Sequence, residues 1–323
     1  MFPVALPPDD CRREADCRNR RTHSVGMTSQ ESSLGAQTPF RQMTVVGVGL
    51  IGGSLALAAK RAGAAHTVVG VARSAASRKI AVARGLVDRV AEDLASGVRG
   101  ADLVVLAVPV HEIVRLLPEV AQLAGQTCLV TDVGSVKGPI VTAGDAAFPD
   151  GRFVAAHPIA GKEQSGPAAA HADLFRGANW IVTPGERTRP EALERVTALC
   201  MSVGATVLRM DAVWHDEVFA TVSHLPHLVA YALMDAVLAT ERGGERIRFS
   251  AGGLRDFTRV AGSDPVMWRD IFLMNREPVL KVLAGYQDAL ERLAAAIRDG
   301  DGAAVEARLL QARAAREELA HRS

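Results

Sequence analysis

The chain has 323 residues, of which 48% are hydrophobic and 23% are charged, a composition typical of folded globular proteins and unlike that of disordered or fibrous ones. Its 37 basic and 36 acidic residues leave a formal net charge of +1, so no overall field would attract nucleic acid or an anionic membrane. The length predicts two domains of ~100–200 residues, and no apolar run reaches the ~18 uninterrupted residues of a membrane span. We therefore expect a soluble protein with no nucleic-acid or membrane partner.

The first 42 residues differ in composition from the rest of the chain. Arg, Ser, Gln, Pro and Asp dominate them and no apolar periodicity appears, which predicts a disordered tail over residues 1–42. Its opening apolar run is too short for the core of a signal peptide. The four cysteines have neither the spacing of a disulfide framework nor that of a zinc site. These features predict a cytoplasmic protein with reduced cysteines.

From Met43 to residue 210, short β-branched runs alternate with helical patterns, which predicts βαβ units and a doubly wound, mostly parallel sheet. The predicted strands are Thr44–Val48, Thr67–Val71, Leu103–Val108, Cys128–Thr131, Phe153–Ala156, Trp180–Thr183 and Thr206–Met210. The predicted helices between them include Gly52–Ala62, Ala75–Arg84, Glu112–Leu123 and Pro190–Val203.

After Asp211 the strand-like runs stop. Apolar residues three and four apart predict long helices over His215–Thr240, Pro265–Arg298 and Ala303–His321. The chain therefore divides into an α/β domain over residues 43–210 and an all-helical domain over residues 211–323. The broad apolar faces of these helices predict a homodimer that packs through them.

A glycine motif, GVGLIG, follows the first predicted strand and opens the first helix. In this setting Gly47 permits the tight turn, Gly49 lets the backbone approach a pyrophosphate, and Gly52 lets the helix pack closely on the strand. The N–H groups at the start of the helix, around Leu50 and Ile51, would bind the phosphates. The motif predicts a Rossmann-type dinucleotide-binding domain.

The end of the second predicted strand indicates which dinucleotide binds. An acidic residue there would bond the ribose 2′-hydroxyl of NAD, but this chain has Arg73 and Ser74 instead. A guanidinium and a hydroxyl suit a 2′-phosphate, so the sequence favours NADP over NAD. The alternative is that Arg73 is a solvated loop charge and both cofactors bind.

Two polar clusters follow strands at the edge where a substrate would meet the nicotinamide. In TDVGSVK, Ser135 could cap the next helix or orient a neighbouring side chain. In AHPIAGKEQSG, His157 ends a strand, and an imidazole that titrates near ~6.5 is suited to removing a hydroxyl proton. A purely structural histidine is the alternative at this position.

The helical half carries a third polar cluster. His215 and Asp216 interrupt an apolar helical pattern, and the SHLPH run adds His224 and His227. The last two could ligate a metal, but no acidic or cysteine residue stands at a suitable spacing, so we expect no metal site.

Arg259 is the candidate cation of the helical half. Its guanidinium matches a substrate carboxylate in a bidentate manner. The alternative is a surface ion pair with Asp256 or Asp264.

The motifs GVGLIGGS, TDVGSVK, AHPIAGKEQSG, ATVSHLPH and LRDFTRVAGSDPVMWRDIF, in this order, resemble those of the prephenate dehydrogenase family of tyrosine biosynthesis. The resemblance extends from Thr44 to the end of the chain. The β-hydroxyacid dehydrogenases share the glycine loop but lack the HPIAGKE and SHLPH segments.

The resemblance implies a two-domain NAD(P)-dependent enzyme that binds prephenate between its domains. Hydride would pass from C4 of the ring to the nicotinamide, and loss of the ring carboxylate would give 4-hydroxyphenylpyruvate. His157 matches the proton acceptor, Ser135 the serine that bonds it, and Arg259 the arginine that binds a substrate carboxylate. Three further positions match residues around the pyruvyl side chain, namely His227, Glu163 and Trp268.

Two other functions stay open. Arogenate differs from prephenate only by an amino group in place of the side-chain keto oxygen, so the chain could be an arogenate or dual-substrate cyclohexadienyl dehydrogenase. A non-catalytic NAD(P)-binding redox sensor is the alternative outside the enzymes, but a sensor would not need a histidine, a serine and an arginine gathered at one site.

Overall fold

The computed structural model describes residues 39–161 and 164–321. The described residues form one eight-stranded sheet with the order β3-β2-β1-β4-β5-β6-β7-β8, in which only the β6–β7 pair is antiparallel. The strands are β1 (Phe40–Val46), β2 (Ala65–Val71), β3 (Arg89–Val90), β4 (Leu103–Leu106), β5 (Leu129–Asp132), β6 (Phe153–Pro158), β7 (Asn179–Thr183) and β8 (Thr206–Arg209). The predicted doubly wound, mostly parallel sheet is confirmed.

Helices cover both faces of this sheet, which explains why its strands are apolar throughout. They are α1 (Leu50–Arg61), α2 (Ala75–Ala83), α3 (Leu94–Val98), α4 (Val110–Leu123), α5 (Gly138–Ala147) and α6 (Pro190–Ser202). Successive side chains of a strand point to opposite faces of the sheet. Val105 lies in the core formed with α1 and α6, whereas Leu106 lies in the core formed with α4 and α5.

The helices that follow the last strand form the second part of the molecule. They are α7 (Ala212–Phe219), α8 (Leu225–Ala239), α9 (Gly243–Arg246), α10 (Gly252–Thr258), α11 (Pro265–Met274), α12 (Arg276–Arg298) and α13 (Gly302–His321). A π-helical segment, Ala220–His224, joins α7 to α8. Trp268 and Ile271 of α11 are buried in the same core as α4, so the helical part packs directly on the sheet domain.

The structure corrects several predicted boundaries. Strand β1 begins at Phe40, so residues 40–42 belong to the sheet and not to the tail, while residues 1–38 lie outside the described residues. The two-residue strand β3 is too short to show a periodicity. The helix expected after the TDVGSVK motif is α5, whose bounds the glycine-rich sequence did not predict, and Gly144 is needed there since a Cβ would lie 2.1 Å from the ring of Phe153.

The predicted helix Pro265–Arg298 is two helices, because Asn275 interrupts it. Asn275 is buried, and its side-chain amide donates to the carbonyl oxygen of Asp216 at 2.9 Å. This contact with a distant segment holds the residue outside helical geometry, which no local pattern signals.

One stretch of described residues, Ala212–Ala239, is long and apolar enough by composition to cross a membrane, with a hydropathy of 1.3. Polar residues divide this stretch, so it contains no uninterrupted apolar run of the length that a membrane span needs. Those polar residues include His215, Asp216 and His224, which are buried and bonded to other elements. The first half of the stretch thus carries buried polar groups that are hydrogen-bonded within the protein.

Candidate active site

The glycine loop between β1 and α1 has the geometry that a bound dinucleotide requires. Gly47 has a φ of +98°, and a Cβ there would lie 2.2 Å from the carbonyl oxygen of Ala107. A Cβ at Gly52 would lie 2.1 Å from the carbonyl oxygen of Gly47. A Cβ at Gly49 would meet no atom within 4 Å. Gly47 and Gly52 therefore allow close packing, whereas Gly49 faces open space. We call this space beside the glycine loop the cradle.

The N-terminus of α1 opens onto this cradle. Gly49 is the N-cap residue and no side chain caps the helix, so the N–H groups of Leu50 and Ile51 are placed to bind an anion. Strand β1 lies between β2 and β4, where the strand order reverses, and dinucleotides bind at such positions. These residues fit the pyrophosphate of a nicotinamide dinucleotide.

The turn between β2 and α2 lies beside the cradle. The Ser74 hydroxyl accepts a hydrogen bond from the Ser77 N–H at 3.0 Å and so caps α2. Arg78 donates to the carbonyl oxygens of Ala72 and Arg73, at 2.9 and 3.0 Å, which holds the turn in place. The side chain of Arg73 itself is exposed. The turn thus presents a cation and no carboxylate.

His157 lies near the end of β6 and is bonded to the helical domain. Its Nδ1 lies 2.9 Å from Nε2 of His215, and Nδ1 of His215 lies 2.8 Å from Oδ1 of Asp216. The rings of His157 and Phe219 pack with centroids 4.9 Å apart. A chain of hydrogen bonds therefore runs from α7 to the strand end.

Asp216 anchors this chain at the N-terminus of α5. Its carboxylate accepts hydrogen bonds from the N–H groups of Lys137 and Gly138, both at 2.7 Å, a favourable position for a negative charge. On the other side, the Asn275 amide donates to Nδ1 of His224 at 3.0 Å. The helical domain is thus fixed to the sheet edge by polar contacts at the site.

A buried ion pair contacts the backbone of Ala156, the residue before His157. The ammonium of Lys137 bonds to the Asp132 carboxylate and donates to the Ala156 carbonyl oxygen at 2.7 Å. The same carboxylate accepts from the N–H groups of Gly134 and Ala156, at 2.7 and 3.1 Å. Burial lowers the pKa of Lys137, against the attraction of Asp132. These bonds hold the ends of β5 and β6 together and so fix the backbone beside His157.

The surroundings of His157 favour the neutral imidazole. Burial lowers its pKa well below the ordinary value, and positive charge on His215, Lys137 or His224 would lower it further. Burial likewise lowers the pKa of His215, although the bond to Asp216 opposes this, and it lowers the pKa of His224 to about 4. A neutral imidazole at the strand end can accept a proton near neutral pH.

Ser135 lies half-buried in the loop between β5 and α5. The predicted capping role is wrong, because Lys137 is the N-cap residue of α5 and no side chain caps that helix. Within the described ranges, the Ser135 hydroxyl makes no hydrogen bond, and Nδ1 of His157 is bonded to His215 instead. Its hydroxyl is left available to a ligand.

His227 and Trp268 form a stacked pair, with ring centroids 3.6 Å apart. Nδ1 of His227 donates to the Ser223 carbonyl oxygen at 2.9 Å. Burial lowers the pKa of His227, and the positive charge of nearby Arg259 adds to this against the Ser223 bond. The indole Nε1 of Trp268 is buried and has no partner among the residues described, so it is a donor available to a bound molecule.

Two further site residues were predicted from the sequence, Arg259 and Glu163. Arg259 is exposed at the end of α10. The carboxylate of Asp264 caps α11. Glu163 lies outside the described residues. Within the described ranges, no three His, Cys, Asp or Glu side chains are arranged to hold a metal ion.

Sequence reasoning noted His215 and Asp216 but gave them no role, and it missed Lys137, Asp132 and Asn275. The signal for the first two was two polar residues inside an apolar helical pattern. The signal for Lys137 and Asp132 was a pair of opposite charges five residues apart around a strand end. The contacts that join these residues to other elements, such as His215 with His157 and Asp216 with Lys137, lie 58 and 79 positions apart in sequence, so neither signal identified them.

Two family models match the chain. One is described as prephenate dehydrogenase, nucleotide-binding domain, and matches residues 55–209, and the other as prephenate dehydrogenase, dimerization domain, and matches residues 211–311.

The chain is similar to known proteins in sequence and in structure. It is 39% identical over 239 residues to a prephenate dehydrogenase of Bacillus subtilis, covering 73% of this chain and 64% of that protein. It is 37% identical over 267 residues to a cyclohexadienyl dehydrogenase of Zymomonas mobilis, covering 82% and 91%. The crystal structure of prephenate dehydrogenase from Aquifex aeolicus, in complex with hydroxyphenyl propionate and NAD+, superposes with a TM-score of 0.80 at 35% identity and covers 88% of this chain and 100% of that one. The chain belongs to the prephenate dehydrogenase family.

Proposed function

We propose that this protein catalyses the NAD(P)-dependent oxidative decarboxylation of prephenate to 4-hydroxyphenylpyruvate. The observation that carries the proposal is the position of His157. This neutral imidazole lies at the same edge of the sheet as the glycine loop, and the helical domain holds it there through His215. The reaction requires a base, a dinucleotide cradle and a second domain that packs against the edge of the sheet where the base lies.

In the proposed reaction His157 accepts one proton and later returns it. When bound, the nicotinamide supplies the acceptor for the hydride that leaves C4 of the ring. His157 accepts the proton of the 4-hydroxyl as the C4–O bond becomes a carbonyl. The bond between C1 and its carboxylate then breaks, carbon dioxide leaves, and the electron pair aromatises the ring. The phenolate oxygen takes the proton back from His157, so the products are 4-hydroxyphenylpyruvate, carbon dioxide and NAD(P)H.

The substrate is a dianion, and its recognition falls to the helical domain. Arg259 binds a carboxylate through its guanidinium, and His227 and Trp268 line the region around the pyruvyl side chain. In this proposal Ser135 contacts the reacting hydroxyl, and the family resemblance assigns Glu163, which is outside the described residues, to the pyruvyl side chain. The resemblance to the family and the exposure of Arg259 near His227 support these assignments.

For the cofactor, we favour NADP over NAD. The exposed guanidinium of Arg73 and the lack of an acid in the β2–α2 turn support a 2′-phosphate. NAD is the alternative, since the Aquifex aeolicus structure contains NAD+.

Dual use of prephenate and arogenate is the second candidate function. The relative from Zymomonas mobilis is a cyclohexadienyl dehydrogenase, and the two substrates differ only in the side chain. A non-catalytic sensor is disfavoured because the hydrogen bonds around His157 serve no purpose in cofactor binding alone.

We further infer a cytoplasmic homodimer. From Glu306 to Ala320 every residue of α13 is exposed in the single chain, including Leu309 at 56% and Leu310 at 55%. A helix that is this exposed needs a partner, and a second copy of this domain supplies one.

Cys128 and Cys200 are buried free thiols, and burial raises the pKa of Cys128 to about 11, which suits a reducing compartment.

The direct test is a spectrophotometric assay at 340 nm on the purified protein. Prephenate and arogenate are each offered with NAD and with NADP, for the wild type and for His157→Ala. We expect reduction with prephenate, and a kcat lowered by ~10²–10⁴-fold in the variant at similar KM. Cofactor binding without reduction in any of the four mixtures would contradict the proposal and favour the sensor.

A further inference from the structure

Three side chains, Asp216, His215 and His157, share two hydrogen bonds of 2.8 and 2.9 Å. An imidazole can accept a substrate proton only through a nitrogen that carries a lone pair. The positions of the protons along this chain therefore decide whether the free nitrogen of His157 is a base or a donor.

The proton positions follow from the end of the chain. The Asp216 carboxylate accepts hydrogen bonds from two backbone N–H groups of the α5 N-terminus, so it is an acceptor towards His215 as well, and Nδ1 of His215 carries the proton. His215 is fully buried, and burial favours its neutral form. Its Nε2 then has a lone pair and must accept from Nδ1 of His157. In a neutral His157, Nε2 is left with the lone pair.

We propose that His215 and Asp216 are positioning residues that fix the tautomer of His157, so that Nε2 of His157 presents a lone pair to the substrate hydroxyl. The proposal rests on the proposed function, in which His157 is the base. The catalytic group is His157 alone, because His215 and Asp216 reach the substrate only through it.

The same chain stabilises the product of the proton transfer. When His157 takes the hydroxyl proton it becomes an imidazolium, and its Nδ1–H still donates to a neutral acceptor that is bonded to a carboxylate. The other charged or titratable groups near the pair are Lys137, Asp132 and His224. Lys137 is bonded to Asp132, so the negative charge nearest to His215 along the hydrogen-bond chain is Asp216.

The arrangement also joins catalysis to domain packing. His157 belongs to β6, whereas His215 and Asp216 belong to α7. The correct tautomer is therefore enforced only when the helical domain is packed on the sheet edge. A separated dinucleotide domain would keep the imidazole but lose its orientation.

The primary test measures the tautomers directly, in wild-type protein without substrate or cofactor. Long-range 1H–15N correlation spectra at neutral pH distinguish protonated from lone-pair ring nitrogens, and His157→Gln and His215→Gln spectra assign the two signals. We expect both histidines to be protonated on Nδ1. A His157 protonated on Nε2 would overturn the proposal. The measurement needs no turnover, so it is independent of whether prephenate is the substrate.

The second test uses two variants at position 215, because Asp216 also holds α5 and its replacement would disturb the fold. His215→Phe keeps the ring that packs on Phe219, with centroids 4.5 Å apart, but removes the acceptor. His215→Gln keeps an amide oxygen that can accept from Nδ1 of His157. We expect kcat to fall ~10- to 100-fold in His215→Phe, a part of what general-base catalysis contributes, with KM changed less than threefold and kcat largely recovered in His215→Gln.

The pair of variants separates positioning from packing. A purely structural role predicts that Phe, which preserves the apolar contact, is tolerated better than Gln. That order, or equal losses in both variants, would refute the positioning role even if the wild type oxidises prephenate.

Discussion

At the scale of single residues, His157 shows how surroundings select one chemistry from several that an imidazole offers. The half-buried position of the side chain removes part of the water that would stabilise an imidazolium, and the hydrogen bond to His215 occupies Nδ1. What remains is one nitrogen, in a group whose pKa lies below the ordinary histidine value. Such a group is neutral, and so competent as a base, throughout the neutral pH range.

The lowered pKa of His157 predicts the acid side of the pH profile. The base is active when unprotonated, so kcat/KM rises with pH through the pKa of His157 and is level above it. Because that pKa is lowered, we expect the acid limb to lie clearly below ~6.5, the ordinary value. The profile is measured between pH 4.5 and 8 with saturating cofactor. An inflection at or above 6.5 would show that protonation of another group limits the reaction.

Arg73 predicts cofactor selectivity. If its guanidinium binds the 2′-phosphate, Arg73→Ser should raise KM for NADP about tenfold, a typical loss of ~1.5 kcal/mol for a charge-assisted bond, and leave KM for NAD within twofold. Arg99, another exposed arginine of the same domain, provides the control variant Arg99→Ser. Equal effects of Arg73→Ser on both cofactors would mean that Arg73 is a solvated loop charge.

At the scale of elements, the π-helical segment Ala220–His224 sets which side chains share a face. At ~100° per residue, His215 and His227 would lie ~120° apart around an uninterrupted α-helix. The additional residue of a π turn removes ~100° of this difference, which leaves them ~20° apart. Both histidines can therefore face the sheet domain, in agreement with the tendency of such segments to occur at functional sites.

Replacing either of two glycines of the loop by alanine should have different effects on cofactor binding and on stability. Gly49→Ala should leave stability nearly unchanged, because its Cβ meets nothing, but weaken cofactor binding at least tenfold by filling the cradle. Gly52→Ala should lower the melting temperature by several degrees, since its Cβ would lie 2.1 Å from a backbone oxygen. Thermal melts measure the stability of each variant, and titration followed by fluorescence measures its affinity for the cofactor. A destabilised Gly49→Ala with normal cofactor affinity would contradict this division.

The sequence predicted most elements of the sheet domain, because strand and helix periods are local properties of the chain. It missed β3 and α3, which are short, it left the bounds of α5 open, and it joined α11 to α12 across Asn275. Two of these errors concern features that depend on a contact with another element, namely Gly144 with Phe153 in α5 and Asn275 with Asp216 between α11 and α12.

At the scale of the whole molecule, the site is an interface between two domains. In the proposed function, the sheet domain contributes the base and the dinucleotide cradle, and the helical domain contributes the groups that orient the base. Between them, polar contacts join α7 to β6 and to the start of α5. The family match over both halves agrees with this division of labour.

The exposed face of α13 predicts which substitutions would break the proposed homodimer. Leu309 and Leu310 are more than half exposed, so a Leu309→Glu, Leu310→Glu double variant should be monomeric if a second copy covers them. Light scattering coupled to size exclusion measures the mass. The control is Val82→Glu, which changes a residue that is 52% exposed on α2 and should leave the mass unchanged. A double variant with wild-type mass would place the dimer contact elsewhere.

The sequence by itself determined the class of fold, the glycine loop, the family and the candidate base, because each depends on residue types at short, fixed spacings. Only the tertiary structure decided what surrounds that base. His157 and His215 are 58 positions apart, and Asp216 lies 79 positions from Lys137. No local pattern encodes such pairs, because they form only when the apolar faces of α7 and α11 pack the helical domain against the carboxyl ends of the strands.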